Sequence, residues 1–142
     1  MPVFVDTNVL VYARDGRDPA KHERANTWMR HLWRSGEGRL STQILQEFYT
    51  TVTRKLSSPL DPAEARGEVA ELFAWHPFPI TEATLMTAFG LEDEHSISFW
   101  DALVVAAADL VSCDRLLTED LQHGSRIGGV TIVDPFVAAP GD

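Results

Sequence analysis

Short apolar runs alternate along this chain with longer segments in which apolar residues recur every three to four positions. Val3-Phe4-Val5 is typical of a short buried strand and ends at Asp6. Further extended segments are predicted at 39–41, 77–80, 116–118 and 130–133. Helical periodicity predicts helices over roughly 20–34, 42–56, 62–73, 82–91 and 98–108.

Helix boundaries are marked by local signals. Pro19 can open the first long helix and Gly36-Glu37-Gly38 ends it. Ser41 or Thr42, Thr81 and Ser98 have the side chains that cap helix N-termini. The helix after Ser98 is apolar on all sides, which predicts that it is buried.

Strands that alternate with helices indicate an α/β fold with a parallel sheet covered on both faces. With 142 residues, the chain has the usual length of one domain, and we expect residues 1–142 to form a single one. In such folds ligands bind at the carboxyl ends of the strands.

Composition narrows the class of protein. No apolar run reaches the ~18–20 residues that span a bilayer, and the apolar run at the N-terminus has no basic segment before it, so we expect neither a membrane span nor a signal peptide. Cys113 is the single cysteine, which excludes an internal disulfide and a cysteine-based zinc site. A cytoplasmic location fits these features.

The charge is distributed unevenly. Residues 1–66 hold ten of the twelve Lys and Arg and have a balance of +2, whereas residues 67–142 have a balance of −11. A nucleic-acid partner would therefore contact the first half, whose candidate basic residues are Arg14, Arg17, Lys21, Arg24, Arg30, Arg34, Arg39, Arg54 and Lys55. Among these, neutralising Lys21, Arg24 and Arg39 is expected to weaken the binding of such a partner. Ordinary solvated helix faces would also account for these basic residues.

Four carboxylates stand where strands end or helices begin. Asp6 follows the first strand, and its alternative role is to cap a helical turn over 8–12. Asp101 is the one charge between Ile97 and Ala108, and with Ser98 it also has capping-box spacing. Each acid therefore has a structural explanation as well as a functional one.

The other two acids are less distinctive. Glu47 flanks the apolar face of its helix, so it could simply be solvated. Asp120 follows the predicted strand 116–118, with Glu119 as a competitor, and strand ends often carry acids as plain turn residues.

The four acids together point to a metal site. Clustered carboxylates repel one another and are forced to take up protons unless a cation neutralises them. Oxygen ligands favour Mg²⁺ or Mn²⁺ over zinc. The five histidines show no metal-ligand spacing. We therefore expect Asp6, Glu47, Asp101 and Asp120 to hold a divalent metal, with Thr7, Asn8 and Thr118 as candidates to orient them by hydrogen bonds.

Four segments in order resemble the motifs of PIN-domain nucleases. They are Phe4-Val5-Asp6-Thr7-Asn8-Val9-Leu10, Ser41-Thr42-Gln43-Ile44-Leu45-Gln46-Glu47-Phe48, Ser98-Phe99-Trp100-Asp101-Ala102-Leu103-Val104 and Leu116-Leu117-Thr118-Glu119-Asp120-Leu121. Ile127-Gly128-Gly129-Val130 is similar to the turn before the family's last strand. The chain length is similar to that of VapC-type toxins of bacterial toxin–antitoxin pairs.

The resemblance implies a three-layer α/β/α sandwich with a mainly parallel sheet of about five strands. It implies an Mg²⁺- or Mn²⁺-dependent endoribonuclease that hydrolyses RNA, forms a homodimer and is inhibited by a cognate antitoxin. It assigns the four acids to the catalytic metal site, and the family's Thr-x-Asp pattern selects Asp120 over Glu119. The apolar residues Trp28, Met29, Leu32 and Trp33 are then either core or an interface for that antitoxin.

Other classes fit less well. A phosphatase of the haloacid dehalogenase type needs Asp-x-Asp, but the third position here is Asn8. A receiver domain needs a lysine near its last strand, yet no lysine follows Lys55. A non-catalytic acidic module that captures a partner protein stays open, and metal-dependent cleavage distinguishes it from a nuclease.

Overall fold

The computed structural model describes residues 1–142 and contains six α-helices and five β-strands. The strands are β1 (Val3–Val5), β2 (Gly38–Arg39), β3 (Arg115–Leu117), β4 (Arg126–Ile127) and β5 (Val130–Val133). The helices are α1 (Thr7–Arg14), α2 (Pro19–Ser35), α3 (Thr42–Arg54), α4 (Pro62–Leu72), α5 (Glu82–His95) and α6 (Phe99–Leu110). A short 3₁₀ turn, Phe73–Trp75, follows α4.

The strands form one sheet in the order β2-β1-β3-β5-β4. All neighbours are parallel except β4 and β5, which form an antiparallel hairpin. The register pairs Val5 with Leu117, so β1 and β3 end side by side. The predicted α/β fold with a mainly parallel sheet of five strands is confirmed.

Helices cover both faces of the sheet. Successive residues of a strand point to opposite faces, yet all three residues of β1 are buried, as are Leu116 and Leu117 of β3. The 31 buried apolar residues form one contiguous core. The central strands are therefore short, apolar and enclosed, as in parallel sheets generally.

Most predicted elements are present, with differences at their edges. The hairpin strand β4 was not among the predicted extended segments. Segment 77–80 makes only an isolated bridge, Phe78 to Ser41, and α5 continues four residues beyond its expected end at Leu91. The apolar helix α6 is buried over Ala102–Ala108, but Trp100 at its start is 63% exposed.

The interface interpretation of the helix over 20–34 is wrong for its two central apolar residues. Trp28 and Leu32 are fully buried in the core, and the Trp28 indole N–H donates to the carbonyl of Ala138 at 2.9 Å. Trp33 is exposed by 43% and packs against Trp75. Large exposed apolar side chains lie instead on α5, at Met86 and Phe89.

No helix is long and apolar enough to cross a membrane. Cys113 is buried and unpaired, and burial raises the pKa of its thiol to about 12.

Candidate metal site and its flanking clefts

The pairing of β1 with β3 brings Asp6 and Thr118 together. Each residue immediately follows its strand, and the Asp6 N–H donates to the carbonyl of Leu117 at 3.0 Å. The Thr118 hydroxyl donates to Asp6 Oδ2 at 2.7 Å, and both side chains are buried. The sheet register itself thus fixes the first contact of the site.

Asp6 both caps α1 and faces the site. Its Oδ1 accepts the backbone N–H of Thr7 at 2.7 Å, which is the capping bond. Its Oδ2 accepts the Thr118 hydroxyl, and the Asn8 amide lies 3.4 Å away. The capping and site interpretations of Asp6 therefore hold together, because each uses a different carboxylate oxygen.

Thr7 joins Asp6 to Glu47. Its backbone N–H bonds to Asp6, and its hydroxyl donates to Glu47 Oε2 at 2.9 Å. The other oxygen of Glu47 accepts the Gln43 amide at 3.0 Å, one turn earlier on α3. Ser41 caps α3 beside the end of β2, so this helix starts at the same edge of the sheet. Glu47 is half-buried and held from two sides.

Asn8 joins Asp6 to Asp120. Its amide nitrogen lies 3.1 Å from Thr118 Oγ1 and 3.2 Å from Asp120 Oδ2. The Asp120 backbone N–H also donates to Thr118 Oγ1 at 3.1 Å. Asp120 is exposed, whereas Asp6 is buried, so the two acids occupy the mouth and the floor of the same site.

Glu119 turns away from this group. Its carboxylate accepts Lys21 Nζ at 2.7 Å, and that ammonium also lies over the rings of Tyr12 and Phe136. The ion pair anchors the loop after β3 to α2. The geometry thus places Asp120, rather than Glu119, next to Asp6.

Asp101 enters from the first turn of α6. Ser98 caps this helix by accepting the Asp101 N–H at 3.1 Å, but no return bond joins the Asp101 carboxylate to the Ser98 N–H. Burial raises the pKa of Asp101, and the negative charges of Asp120 and Glu47 raise it further, while the Ser98 hydroxyl opposes the shift. The carboxylate thus lies within electrostatic reach of two other acids.

The surroundings of Asp6 strongly disfavour its ionised form. Burial raises the pKa of its carboxyl to about 7, against the hydrogen bonds from Thr118 and Thr7, and the charges of Asp120 and Glu47 add to the rise. A carboxylate held near its neutral form gains most from a nearby cation.

The donor set suits a hard divalent cation. All four acids offer oxygen, no histidine or cysteine lies among them, and Asn8 Oδ1 is buried without a hydrogen-bond partner. As the side chains stand, no three acidic, histidine or cysteine residues are arranged to hold a metal ion directly. The chemistry therefore fits such an ion, although the acids lie more widely spaced than direct ligands to one ion would.

Two clefts flank the acids. One, of about 630 Å³, is lined by Thr7, Asn8, Val11, Tyr12, Asp15, Arg17, Asp18, Thr51, Lys55, Leu56, Glu119 and Asp120. The other, of about 460 Å³, is lined by Thr7, Gln43, Gln46, Glu47, Thr50, Thr51, Lys55 and Trp100. Thr7, Thr51 and Lys55 border both clefts, so the clefts adjoin along Thr7 and the second half of α3, with Asp120 in one and Glu47 in the other.

The basic residues expected to contact a nucleic acid are placed differently. Arg39 folds back to the carbonyls of Gly36 and Gly38, away from the carboxyl ends of the strands. Lys21 is engaged by Glu119, and Arg24 reaches the carbonyl of Pro135 at 3.5 Å. Lys55 borders both clefts and has no ion pair, so it is the basic residue best placed to contact a strand bound in them.

Sequence reasoning missed Gln43 and Trp100 as components of this region, and it named Lys55 only as one of nine basic residues in the first half of the chain. Gln43 precedes Glu47 by four residues, a spacing at which side chains meet on a helix, so that contact had a usable signal. Lys55 and Trp100 line the same cleft only in the folded chain, and neither has a local sequence signal for this position.

Comparison with solved structures finds the same fold in toxin proteins. A toxin–antitoxin complex from Klebsiella pneumoniae superposes with a TM-score of 0.69 at 18% identity, covering 95% of this chain and 98% of that one. VapC20 of Mycobacterium tuberculosis, described as a sarcin-ricin-loop-cleaving toxin, gives a TM-score of 0.61 at 21% identity, covering 83% and 89%. VapBC2 from Rickettsia felis, bound to a DNA fragment from its promoter, gives 0.62 at 14% identity, covering 93% and 97%.

A search of curated protein sequences gives no significant match. The family model described as "PIN domain" matches residues 3–126 and so includes all four acids. With this match over most of its length, and with the fold shared by the structures above, the chain belongs to the PIN domain family.

Proposed function

We propose that this protein is the toxin of a toxin–antitoxin pair and acts as a metal-dependent endoribonuclease. The observation that carries the proposal is the hydrogen-bonded frame in which Thr7, Asn8 and Thr118 join Asp6, Glu47 and Asp120. Such a frame holds acids in place that would otherwise repel one another. Family membership and the toxins that share the fold support the same assignment.

In this proposal Asp6, Glu47, Asp101 and Asp120 hold Mg²⁺ or Mn²⁺, directly or through water molecules. A divalent cation at this position supplies Lewis acidity, which lowers the pKa of water and offsets negative charge on the phosphate. Asp6, at the floor of the site, must be ionised to serve as a ligand, and its raised pKa makes cation binding compete with protonation. Asp120 and Asp101, nearer the surface, face the incoming phosphodiester.

The polar residues of the frame have positioning roles. Thr7 and Gln43 fix both oxygens of Glu47, and Asn8 and Thr118 orient Asp6 and Asp120. Carboxylates that are already fixed do not have to reorganise when charge develops on the phosphate, so the activation free energy of the reaction is lower.

The proposal includes two protein contacts, a cognate antitoxin and a second copy of the chain. α5 exposes Met86 by 63% and Phe89 by 46%, which supports an interface on this helix. If the homodimer uses α5, Met86→Glu should shift sedimentation from dimer to monomer, whereas Arg34→Gln on α2 should not. A wild-type protein that sediments as a monomer at all concentrations tested would remove the homodimer from the proposal.

Cleavage of total RNA by the purified protein tests the enzymatic proposal. We expect cleavage with Mg²⁺ or Mn²⁺, none with EDTA, and loss of activity in Asp6→Asn and Asp101→Asn. Asp109→Asn is a matched control, since Asp109 lies on the same helix as Asp101 but eight residues further on, about 12 Å along the axis. A folded, antitoxin-free protein that cuts nothing would favour the non-catalytic acidic module.

A further inference from the structure

Trp100 is an exposed aromatic side chain at the edge of the acid cluster. It directly precedes Asp101, is 63% exposed and forms one wall of the cleft that also contains Glu47. Exposing an indole to water has a cost in free energy, and the buried helix α6 could have carried a polar residue at this position. The hydrogen-bonded frame and the metal site leave this side chain without a role.

The exposed indole packs on one side against neighbouring aromatic rings. The Phe99 ring packs against Trp100 edge-to-face at 5.3 Å between centroids, and Phe89 packs against Phe99 at 5.8 Å. An aromatic ring fixed by its neighbours loses little conformational entropy when a flat partner stacks on it.

The floor of the same cleft is the polar face of α3. Gln43, Gln46, Glu47, Thr50 and Thr51 recur at helical spacing, while the apolar residues of that helix face the core. Side-chain amides and hydroxyls can bond to the edges of nucleobases or to sugar hydroxyls. Gln43 Oε1 is buried without a partner, even though its amide nitrogen bonds to Glu47.

Lys55 closes the far end of this floor. It lies eight residues beyond Glu47, about 12 Å along the helix axis, so its charge is separated from the acids rather than neutralising them. It has no ion pair, whereas Lys21, the chain's other lysine, is paired with Glu119. An unpaired ammonium beside an acidic site can anchor a phosphate of a bound strand.

From these contacts we infer that the cleft between Trp100 and Lys55 is a nucleotide subsite, in which an unpaired base stacks on the Trp100 indole and a neighbouring phosphate binds Lys55. The inference rests on the proposed function and extends it to the substrate, because a base inside a duplex is stacked on both faces and has no face free for the indole. The protein therefore selects single-stranded or looped RNA next to the bond it cuts. Stacking of this kind tolerates all four bases, so it gives no sequence preference by itself.

RNA affinity, rather than cleavage, tests the subsite. The Asp6→Asn background prevents turnover, and the probe is a short fluorescein-labelled single-stranded RNA measured by anisotropy. We expect Trp100→Ala to weaken binding by roughly 5- to 150-fold, the range for loss of one base–aromatic stack. Trp100→Phe should lose much less. Trp33→Ala is the matched control on another exposed tryptophan and should change affinity by less than about twofold.

A cycle with modified RNAs identifies the contact. Each RNA probe in a set lacks the base at one position, and the position differs from probe to probe. For one probe, the loss of affinity caused by the missing base should not add to the loss caused by Trp100→Ala. Lys55→Gln should reduce the slope of log affinity against log salt by roughly 0.7, whereas Arg34→Gln should leave it unchanged. Trp100→Ala and its Asp6→Asn parent should bind duplex RNA of the same sequence with equal affinity.

Three results would overturn the subsite. One is unchanged affinity in Trp100→Ala. The second is additivity with every abasic probe. The third is a loss of affinity that only follows a loss of dimer in sedimentation, which would make Trp100 a contact between protein copies. Each leaves the nuclease proposal intact if Asp6→Asn and Asp101→Asn still abolish cleavage, so the two failures are distinguishable.

Discussion

Thr118 Oγ1 lies 2.7 Å from Asp6 Oδ2 and donates a hydrogen bond to it. Burial raises the pKa of the Asp6 carboxyl, and this bond is one of two that lower it. Thr118 Oγ1 also accepts the Asp120 backbone N–H at 3.1 Å. One hydroxyl at the end of β3 thus links the buried and the exposed acid of the site.

Removing that hydroxyl should shift the pH dependence of cleavage. In Thr118→Val the pKa of Asp6 should rise above about 7, because a hydrogen bond that lowers it is lost. The acidic limb of the pH–rate profile should then move to higher pH, while Thr118→Ser should restore the wild-type profile. An acidic limb that is the same in the valine variant and the wild type would contradict the link between Thr118 and the ionisation of Asp6.

The stability of the cation-free protein should fall as the pH rises through the titration of Asp6. The pKa is about 7 in the folded chain against an ordinary value of 3.8, so the folded state binds the proton more tightly than the unfolded state. The free energy of unfolding from this group is therefore greatest below pH 4 and declines until about pH 7. The full decline is up to about 4 kcal/mol, from 1.36 kcal/mol per pKa unit.

Asp6→Asn is the test of that sign, because its side chain does not ionise. Without divalent metal, the variant should be more stable than the wild type at pH 8, and the difference should shrink or reverse at pH 4. Urea unfolding at both pH values measures it. If Asp6→Asn were less stable than the wild type by the same amount at pH 8 and at pH 4, ionisation of Asp6 would not destabilise the folded protein.

Much of the fold was predictable from the sequence, because local signals and tertiary packing agree. Asp18, Ser41, Thr81 and Ser98 each cap a helix with a side-chain bond, and Gly36 adopts the left-handed conformation that ends α2. The strand β4 was not predicted, because two residues are too few to show the alternation of apolar and polar positions that marks a strand. Its pairing depends on the turn at Gly128, where φ is +59°.

The proximity of Asp6, Glu47 and Asp120 was predictable from the sequence, but their geometry was not. Strand-end positions and the PIN-like motifs indicate which acids converge, yet they do not show that Asp6 is buried while Asp120 is exposed. That difference arises because Thr118 and the core enclose the end of β1. Burial of Trp28 was likewise ambiguous, since an amphipathic stripe looks the same whether it faces a core or a partner.

Cleavage should depend on the amide group of Asn8. Its amide nitrogen contacts Asp6, Thr118 and Asp120, so Asn8→Ala removes the group that holds two acids together. We expect cleavage to fall by about 10- to 100-fold, as for other residues that orient metal-binding carboxylates. Asn8→Asp should be at least as damaging, because it adds a like charge beside Asp6. Steady-state kinetics at saturating metal measure both, and a fully active aspartate variant would rule out the bridging role.

Divalent cations should stabilise the protein in a way that depends on the acids. Binding to the folded state alone adds about 2.7 kcal/mol at a concentration of 100 times Kd, which for a chain of this size is about 5–10 °C in Tm. We expect this shift with Mg²⁺ or Mn²⁺ in the wild type and in Asp109→Asn, and a much smaller one in Asp101→Asn. Equal shifts in all three proteins would mean that the cation binds elsewhere. Calorimetry without RNA makes this result independent of turnover.

Gly38, which pairs with Val3 at the start of β1, packs so closely against Trp75 that a larger residue should destabilise the protein. A Cβ added at Gly38 would lie 2.5 Å from Cη2 of the Trp75 indole, and this ring is buried against Trp33. Because a packed indole cannot move aside without displacing its neighbours, Gly38→Ala should lower the free energy of unfolding by about 1–3 kcal/mol. Trp75→Leu should relieve the clash, so the double variant should lose less than the two single losses combined. Strictly additive losses in urea unfolding would exclude the clash as the cause. RNA cleavage should be unchanged at a temperature where all variants are folded. The reason is that β2 pairs with β1 at Val3 and Phe4, before the chain reaches Asp6.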